Sequence, residues 1–146
     1  MSDQIHGTCV DLNNNGIIIK GPPGSGKSDL ALRLIDEGAL LVADDRINLR
    51  VENNSLLAKA PKTIAGLLEV RELGIFTLKY CHESVIVLIV ELILENKQVR
   101  LPKKTYAEIK GIRVPKIKLV SFNASASAKV RIALKEINNG IVFKHE

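Results

Sequence analysis

At 146 residues, 46% hydrophobic and 25% charged, the chain has enough apolar mass for one domain with a real core. No apolar run is long enough to cross a bilayer as a helix, and the polar start Met1-Ser-Asp-Gln4 lacks the charged-then-apolar order of a signal peptide, so a cytoplasmic protein is expected. The net charge of +5 is uneven: residues 1–96 hold 9 Lys/Arg against 13 Asp/Glu, while residues 97–135 hold 11 Lys/Arg against Glu108 alone.

A basic segment of that kind suits an anionic partner, whether nucleic acid, nucleotide phosphates or an acidic or phosphorylated protein. It equally suits a solvated basic face. Apart from Tyr106 and Phe122 it offers no aromatic platform, which argues against single-stranded nucleic acid. Cys9 and Cys81 lack C-x-x-C spacing and read as buried free thiols in a reducing compartment.

In chain order, Gln4–Asp11 alternates loosely and predicts a strand. Asn13-Asn-Asn-Gly16 is a hairpin turn signal, and Gly16-Ile-Ile-Ile-Lys20 is a buried, β-branched strand. The second arm of this hairpin runs into Gly21-Pro22-Pro23-Gly24-Ser25-Gly26-Lys27-Ser28, which matches G-x-x-x-x-G-K-[ST] at every fixed position. Asp29–Glu37 follows as an amphipathic helix with Leu30, Leu34 and Ile35 on one face, ending at Gly38.

Strand, glycine-rich loop and helix are together a phosphate-binding device. The glycines let backbone N–H groups curl around a phosphate, and the helix N-terminus adds partial positive charge. Lys27 would reach the β- and γ-phosphates, and the Ser28 hydroxyl would ligate Mg²⁺. His6, near the start of the first strand, is placed by this topology near the loop; a lone histidine is more often structural than catalytic.

Ala39–Ala43 predicts a short apolar strand ending in Asp44-Asp45. Burying either acid unpaired is costly. Beside a bound Mg-nucleotide one could hold the metal through water and the other accept a proton from an attacking hydroxyl. Successive strand residues point opposite ways, so both facing one site requires a bend; a polar turn at Asp-Asp-Arg is the alternative.

Ile47–Val51 and Ser55–Lys59 predict a second hairpin about Glu52-Asn-Asn54. Glu69 and Arg71 stand inside the apolar segment Leu67–Leu73, either as the solvent face of a strand or as part of a site. Ile75–Lys79 continues as a strand, and Ser84–Leu94, the most apolar run, predicts a central strand. Glu95–Pro102 reads as a turn and return, Tyr106–Gly111 as one helical turn, Arg113–Val120 as a strand interrupted at Pro115, and Asn123–Asn138 as a helix. Many strands to two substantial helices departs from the strand–helix alternation of GTPases and nucleotide kinases. The chain also lacks an N-K-x-D stretch for reading guanine, and a small-molecule kinase would want a lid-like insertion.

His6-Gly7, Gly21–Ser28, Val42-Ala-Asp-Asp-Arg46, Ala60-Pro61 and Leu67-Leu-Glu-Val-Arg-Glu-Leu-Gly-Ile75, in this order, resemble the C-terminal kinase domain of HPr kinase/phosphorylase. The resemblance covers nearly the whole chain. Without the family's usual N-terminal domain, the chain looks like the short form known from alphaproteobacteria.

The resemblance implies an α/β fold, a P-loop kinase domain of the phosphoenolpyruvate carboxykinase-like type. Its sheet would be mixed and mostly antiparallel, with two main helices. It implies ATP and Mg²⁺ as cofactors, a serine of the phosphocarrier HPr or an HPr-like protein as acceptor, and a homo-oligomer, commonly a hexamer. Asp44 would be the base that takes the serine proton, and the acid in reverse phosphorolysis. Asp45 and Glu69 would be Mg²⁺-side carboxylates with Ser28 a direct ligand, and Lys27, His6 and Arg100 would join the catalytic set.

The chain departs from the family at Pro22-Pro23, at Asp29 in place of glutamate, and at Glu72 in place of glycine. Val120–Ser125 stands where a Pro-Gly-Arg-Asn segment associated with dephosphorylation belongs. The kinase reaction is therefore expected ahead of the phosphorylase reaction. A nucleotide-sensing module that binds HPr-like proteins without catalysis is the alternative.

Overall fold

The computed structural model describes residues 3–94 and 104–139. Its strands are β1 (Gln4–His6), β2 (Thr8–Leu12), β3 (Asn15–Lys20), β4 (Leu40–Ala43), β5 (Arg46–Glu52), β6 (Ser55–Lys59), β7 (Leu67–Val70), β8 (Gly74–Thr77), β9 (Ser84–Leu92), β10 (Thr105–Ile109) and β11 (Ile112–Leu119). The helices are α1 (Lys27–Asp36) and α2 (Ala126–Asn139), with a 3₁₀ turn at Lys62–Ile64.

Nine of the described strands form one sheet, running β1-β5-β6-β9-β3-β2-β4, with β11 also on β9 and β10 on β11. β3–β9 and β9–β11 are parallel; the other pairs are antiparallel. The strand predicted as central is central: β9 pairs with β3, β6 and β11.

The sheet is buried on both faces, which explains apolar runs without alternation. On one face Ile17, Ile19, Leu88, Val90 and Leu92 pack against Leu30, Leu34, Val130 and Leu134 of the helices. On the other, Ile18 and Ile89 join Cys9, Val42, Ile47, Leu56 and Val114. A register shift between Gly16 and Ile17, opposite Ile86 and Leu88, resets the side-chain alternation of β9.

Both predicted asparagine turns form, with positive φ at Asn13, Asn14, Asn53 and Asn54, the backbone that tight hairpins demand. Three expectations are corrected. Gln4–Asp11 is two strands, because the chain leaves β5 at Gly7 and joins β3 and β4 from Thr8. Tyr106–Gly111 is β10 plus the turn Lys110-Gly111, not a helical turn, since pairing with β11 overrides a weak local preference. The last helix begins at Ala126 rather than Asn123. Pro115 sits inside β11, but pairing with β9 begins only at Lys116, so its missing N–H removes no bond on that side. The turn expected at residues 95–102, Arg100 within it, and the tail 141–146 lie outside the described residues. Among the described residues no helix is long and apolar enough to cross a membrane, which leaves strand-built crossings unaddressed.

Candidate active site

The phosphate loop joins β3 to α1. The Ser25 N–H donates to the Pro22 carbonyl at 3.1 Å and the Leu30 N–H to the Gly26 carbonyl at 2.9 Å, closing the loop on the first helical turn. Gly26 caps α1 with φ +93°, a left-handed backbone that glycine adopts without strain. A Cβ there would also collide with the Ser121 hydroxyl. Lys27 Nζ arches over the loop and donates to the carbonyls of Gly21 at 2.9 Å and Pro22 at 3.3 Å. The Ser25 hydroxyl is buried inside the loop with no hydrogen-bond partner among the described residues.

Three elements converge on the Asp44 carboxylate. Its Oδ1 accepts from Thr8 Oγ1 at 2.9 Å and from Ser28 Oγ at 2.8 Å; its Oδ2 faces the Glu69 N–H at 3.4 Å. The register of β2 on β4 explains the first contact: Cys9 lies opposite Ala43, so the next antiparallel step sets Thr8 beside Asp44. Asp44 is half-buried, and these donors offset the cost of desolvating it.

The backbone turns at Asp45. Its φ is +74°, its side chain is exposed, and its carbonyl accepts from the Gly7 N–H at 3.1 Å. His6, exposed on edge strand β1, is in register with Arg46, so β1 and β5 place it next to Asp45. Glu69 brings its backbone, not its carboxylate, to Asp44; its side chain is on the exposed face of β7, opposite buried Leu68. Thus Asp44, Thr8, Ser28 and the Glu69 backbone meet at one end of the sheet, Lys27 turns its ammonium onto the loop carbonyls instead, the backbone at His6 and Asp45 adjoins them, and Arg100 lies outside the described residues.

The donors around Ser28 are hard oxygens, the set that Mg²⁺ takes, and Mg²⁺ commonly uses one or two carboxylates and completes its shell with substrate phosphates and water. No three His, Cys, Asp or Glu side chains converge among the described residues.

Three contributors were not singled out from sequence as site residues. Thr8 is 1% exposed and carries a hydroxyl just before the apolar pair Cys9-Val10, a signal that was available. Ser121 donates its hydroxyl to the Ser25 carbonyl, while Arg33 on α1 donates to the carbonyls of Ser121 and, at 3.2 Å, Asn123. These partners stand 88 to 96 residues apart in sequence, beyond any local pattern. Within the basic segment, Lys104, Lys110, Lys116 and Arg131 are ion-paired with Glu136, Asp3, Glu91 and Glu37, and Arg113 stacks 3.9 Å over the Tyr106 ring, so much of its charge is already engaged.

A hollow of about 490 Å³ lies between the β2–β3 turn and α2, at the end of β3 remote from the phosphate loop, and holds none of these groups. A second, of about 320 Å³, adjoins the loop at Pro22–Ser25.

Residues 1–137 match the family described as HPr serine kinase C-terminal domain. The chain is 36% identical over 98 residues to an HPr kinase/phosphorylase of Clostridium botulinum, covering 67% of this chain and 30% of that protein. With the Clostridium acetobutylicum protein of the same name it shares 46% identity over 72 residues, or 49% of this chain and 24% of the relative. The matches thus span about a third or less of these relatives' length. The fold is similar to a solved structure of the Hpr(Ser) kinase/phosphatase from Coxiella burnetii, with a TM-score of 0.84 at 26% identity, covering 94% of this chain and 97% of that one. The chain belongs to the HPr serine kinase C-terminal domain family.

Proposed function

We propose that this chain is an ATP-dependent protein kinase that phosphorylates a serine of HPr or an HPr-like phosphocarrier. The observation that carries the reading is the Asp44 carboxylate, held by Thr8, Ser28 and the Glu69 N–H beside the phosphate loop. Phosphoryl transfer asks the protein mainly for positioning and charge. Lys27 and the loop N–H groups would hold the β- and γ-phosphates. Asp44 would accept the proton of the incoming serine hydroxyl, and in phosphorolysis return it. Mg²⁺, bound through Ser28 with Asp45 and Glu69 on its side, would neutralise charge developing on the phosphates. His6 and Arg100 complete the proposed set.

A protein acceptor, rather than a small molecule, is supported by the β7–β8 hairpin. The strand that turns its N–H to Asp44 leads to Leu73, Ile75 and Phe76, all exposed, and apolar surface beside a site suits a docking partner. A single catalytic domain spanning residues 1–146, homo-oligomeric and hexameric by family resemblance, in the cytoplasm, belongs to the same proposal. Light scattering on the purified protein tests the assembly.

The function is tested by incubating the protein with γ-labelled ATP, Mg²⁺ and the HPr homologues of its own organism. Label on a serine of HPr, lost with Asp44→Ala while nucleotide binding persists, is the expected result. Binding of ATP and HPr without transfer in the unmodified protein would favour the sensing module instead.

A further inference from the structure

The phosphate loop has two flanks. On one side β3 is followed in the sheet by β2 and β4, and Asp44 at the end of β4 is bonded to Ser28. If that side receives the transferred phosphoryl group, the rest of a nucleotide must lie across the loop, toward the ends of β9 and β11. There Ile93, Leu94, Val120 and Phe122 face Pro22 and Pro23 around a hollow of about 320 Å³. That volume falls within the roughly 300–1,000 Å³ of small-molecule sites; Ser25 and Asn123 add polar groups to the lining, and the apolar side chains among it suit the face of a flat ring system.

Phe122 is 68% exposed and forms one wall. The segment carrying it is fixed from both ends. Ser121 is bonded to the Ser25 carbonyl in the loop, and Arg33 grips the carbonyls of Ser121 and Asn123 on either side of the ring. The ring also closes on the loop itself: a Cβ on Gly26 would lie 3.3 Å from its edge. The Ile93 N–H donates to the Leu119 carbonyl at 2.9 Å, tying the floor of the hollow together.

We propose that Phe122 is the stacking wall for the base of the bound nucleoside triphosphate, with Ile93, Leu94 and Val120 as the apolar floor. The inference rests on the kinase reading for the direction in which the nucleotide lies. It assigns a role to Val120–Ser125, one of the places in which this chain departs from its family's pattern.

The chain has no tryptophan, so Phe122→Trp introduces a single tryptophan whose emission can be excited apart from that of the two tyrosines. ATP and inorganic tripolyphosphate are titrated, with Mg²⁺, into the unmodified protein, Phe122→Ala and Phe122→Trp, with the fold of each variant checked by circular dichroism. Base–aromatic stacking of ordinary strength predicts that Phe122→Ala weakens ATP binding about tenfold or more and leaves tripolyphosphate binding unchanged. In Phe122→Trp, ATP is expected to change the emission and tripolyphosphate to leave it alone. Unchanged ATP affinity in Phe122→Ala, or equal losses for both ligands, overturns the stacking wall and leaves the kinase reading standing. An unmodified protein that binds neither ligand overturns both.

Discussion

Ser28 Oγ donates to Asp44 Oδ1 at 2.8 Å, joining the first turn of α1 to the end of β4 across 16 residues of sequence. The contact sets an acid against the serine of the phosphate loop. Asp44→Asn keeps the shape and removes the ability to accept a proton. Transfer of labelled phosphate to HPr at saturating Mg²⁺ is expected to fall by about 10²–10⁴-fold, with ATP affinity within a few-fold of normal. Activity within tenfold of normal would show that Asp44 is not the base.

Thr8 Oγ1 donates to the same oxygen at 2.9 Å. Thr8→Val is nearly isosteric and deletes only the hydroxyl. The expected cost is about 1 kcal/mol of stability in denaturant titration, with a drop in kcat rather than a rise in KM for ATP. Thr8→Ser restores the donor and should recover kcat; if it does not, the hydroxyl is not what positions Asp44.

Gly26 tests the loop's conformation. Gly26→Ala must hold alanine at φ +93° and push its Cβ against Ser121 Oγ, so a loss of about 1–3 kcal/mol is expected, together with weaker tripolyphosphate binding. Ser121→Ala in the same chain relieves the collision but not the dihedral strain. Thermal melts of the two single variants and the double should therefore show coupling, and strict additivity would mean that the two groups do not meet.

Burial in the sheet core pushes the Cys9 thiol up from its ordinary value, and nearby Asp11 adds to the effect. The half-buried Cys81 thiol is raised as well, again chiefly by burial. A raised folded-state value means that above about pH 9 the unfolded chain loses this proton while the folded chain keeps it. Stability is unaffected below that pH and then falls, by at most about 1.4 kcal/mol per pH unit for Cys9. Denaturant titrations from pH 7.5 to 10.5 are expected to show a shallower alkaline decline in Cys9→Ala than in the parent. Parallel curves would contradict this.

Legibility followed distance along the chain. The loop Gly21–Ser28 and the turns at Asn13-Asn14 and Asn53-Asn54 were readable because their geometry is decided by neighbouring residues: glycine and asparagine tolerate the backbone these turns need. β9 was readable because only a strand covered on both faces tolerates so apolar a run. Tyr106–Gly111 was misread because its short mixed pattern has no strong local preference, and the ladder to Ile112–Leu119 settles it. Asp44-Asp45 could be singled out as acids that a buried strand would not carry unpaired, but the bend between them depended on φ +74° at Asp45, which no residue pattern announces.

By itself the sequence determined that a glycine-rich loop of the phosphate-binding pattern joins a buried strand to a helix, and that acids follow at the end of the next apolar strand. Hydrophobic runs, turn residues and the loop motif act over a few residues and leave a local trace. Which hydroxyl reaches Asp44, that Glu69 offers its backbone N–H rather than its carboxylate to Asp44, and that Ser121 and Arg33 set Phe122 beside the loop were decided only in the tertiary structure. Those contacts depend on sheet register and on segments up to 96 residues apart, and hydrogen bonds a few ångströms long exist only once packing has brought the partners together.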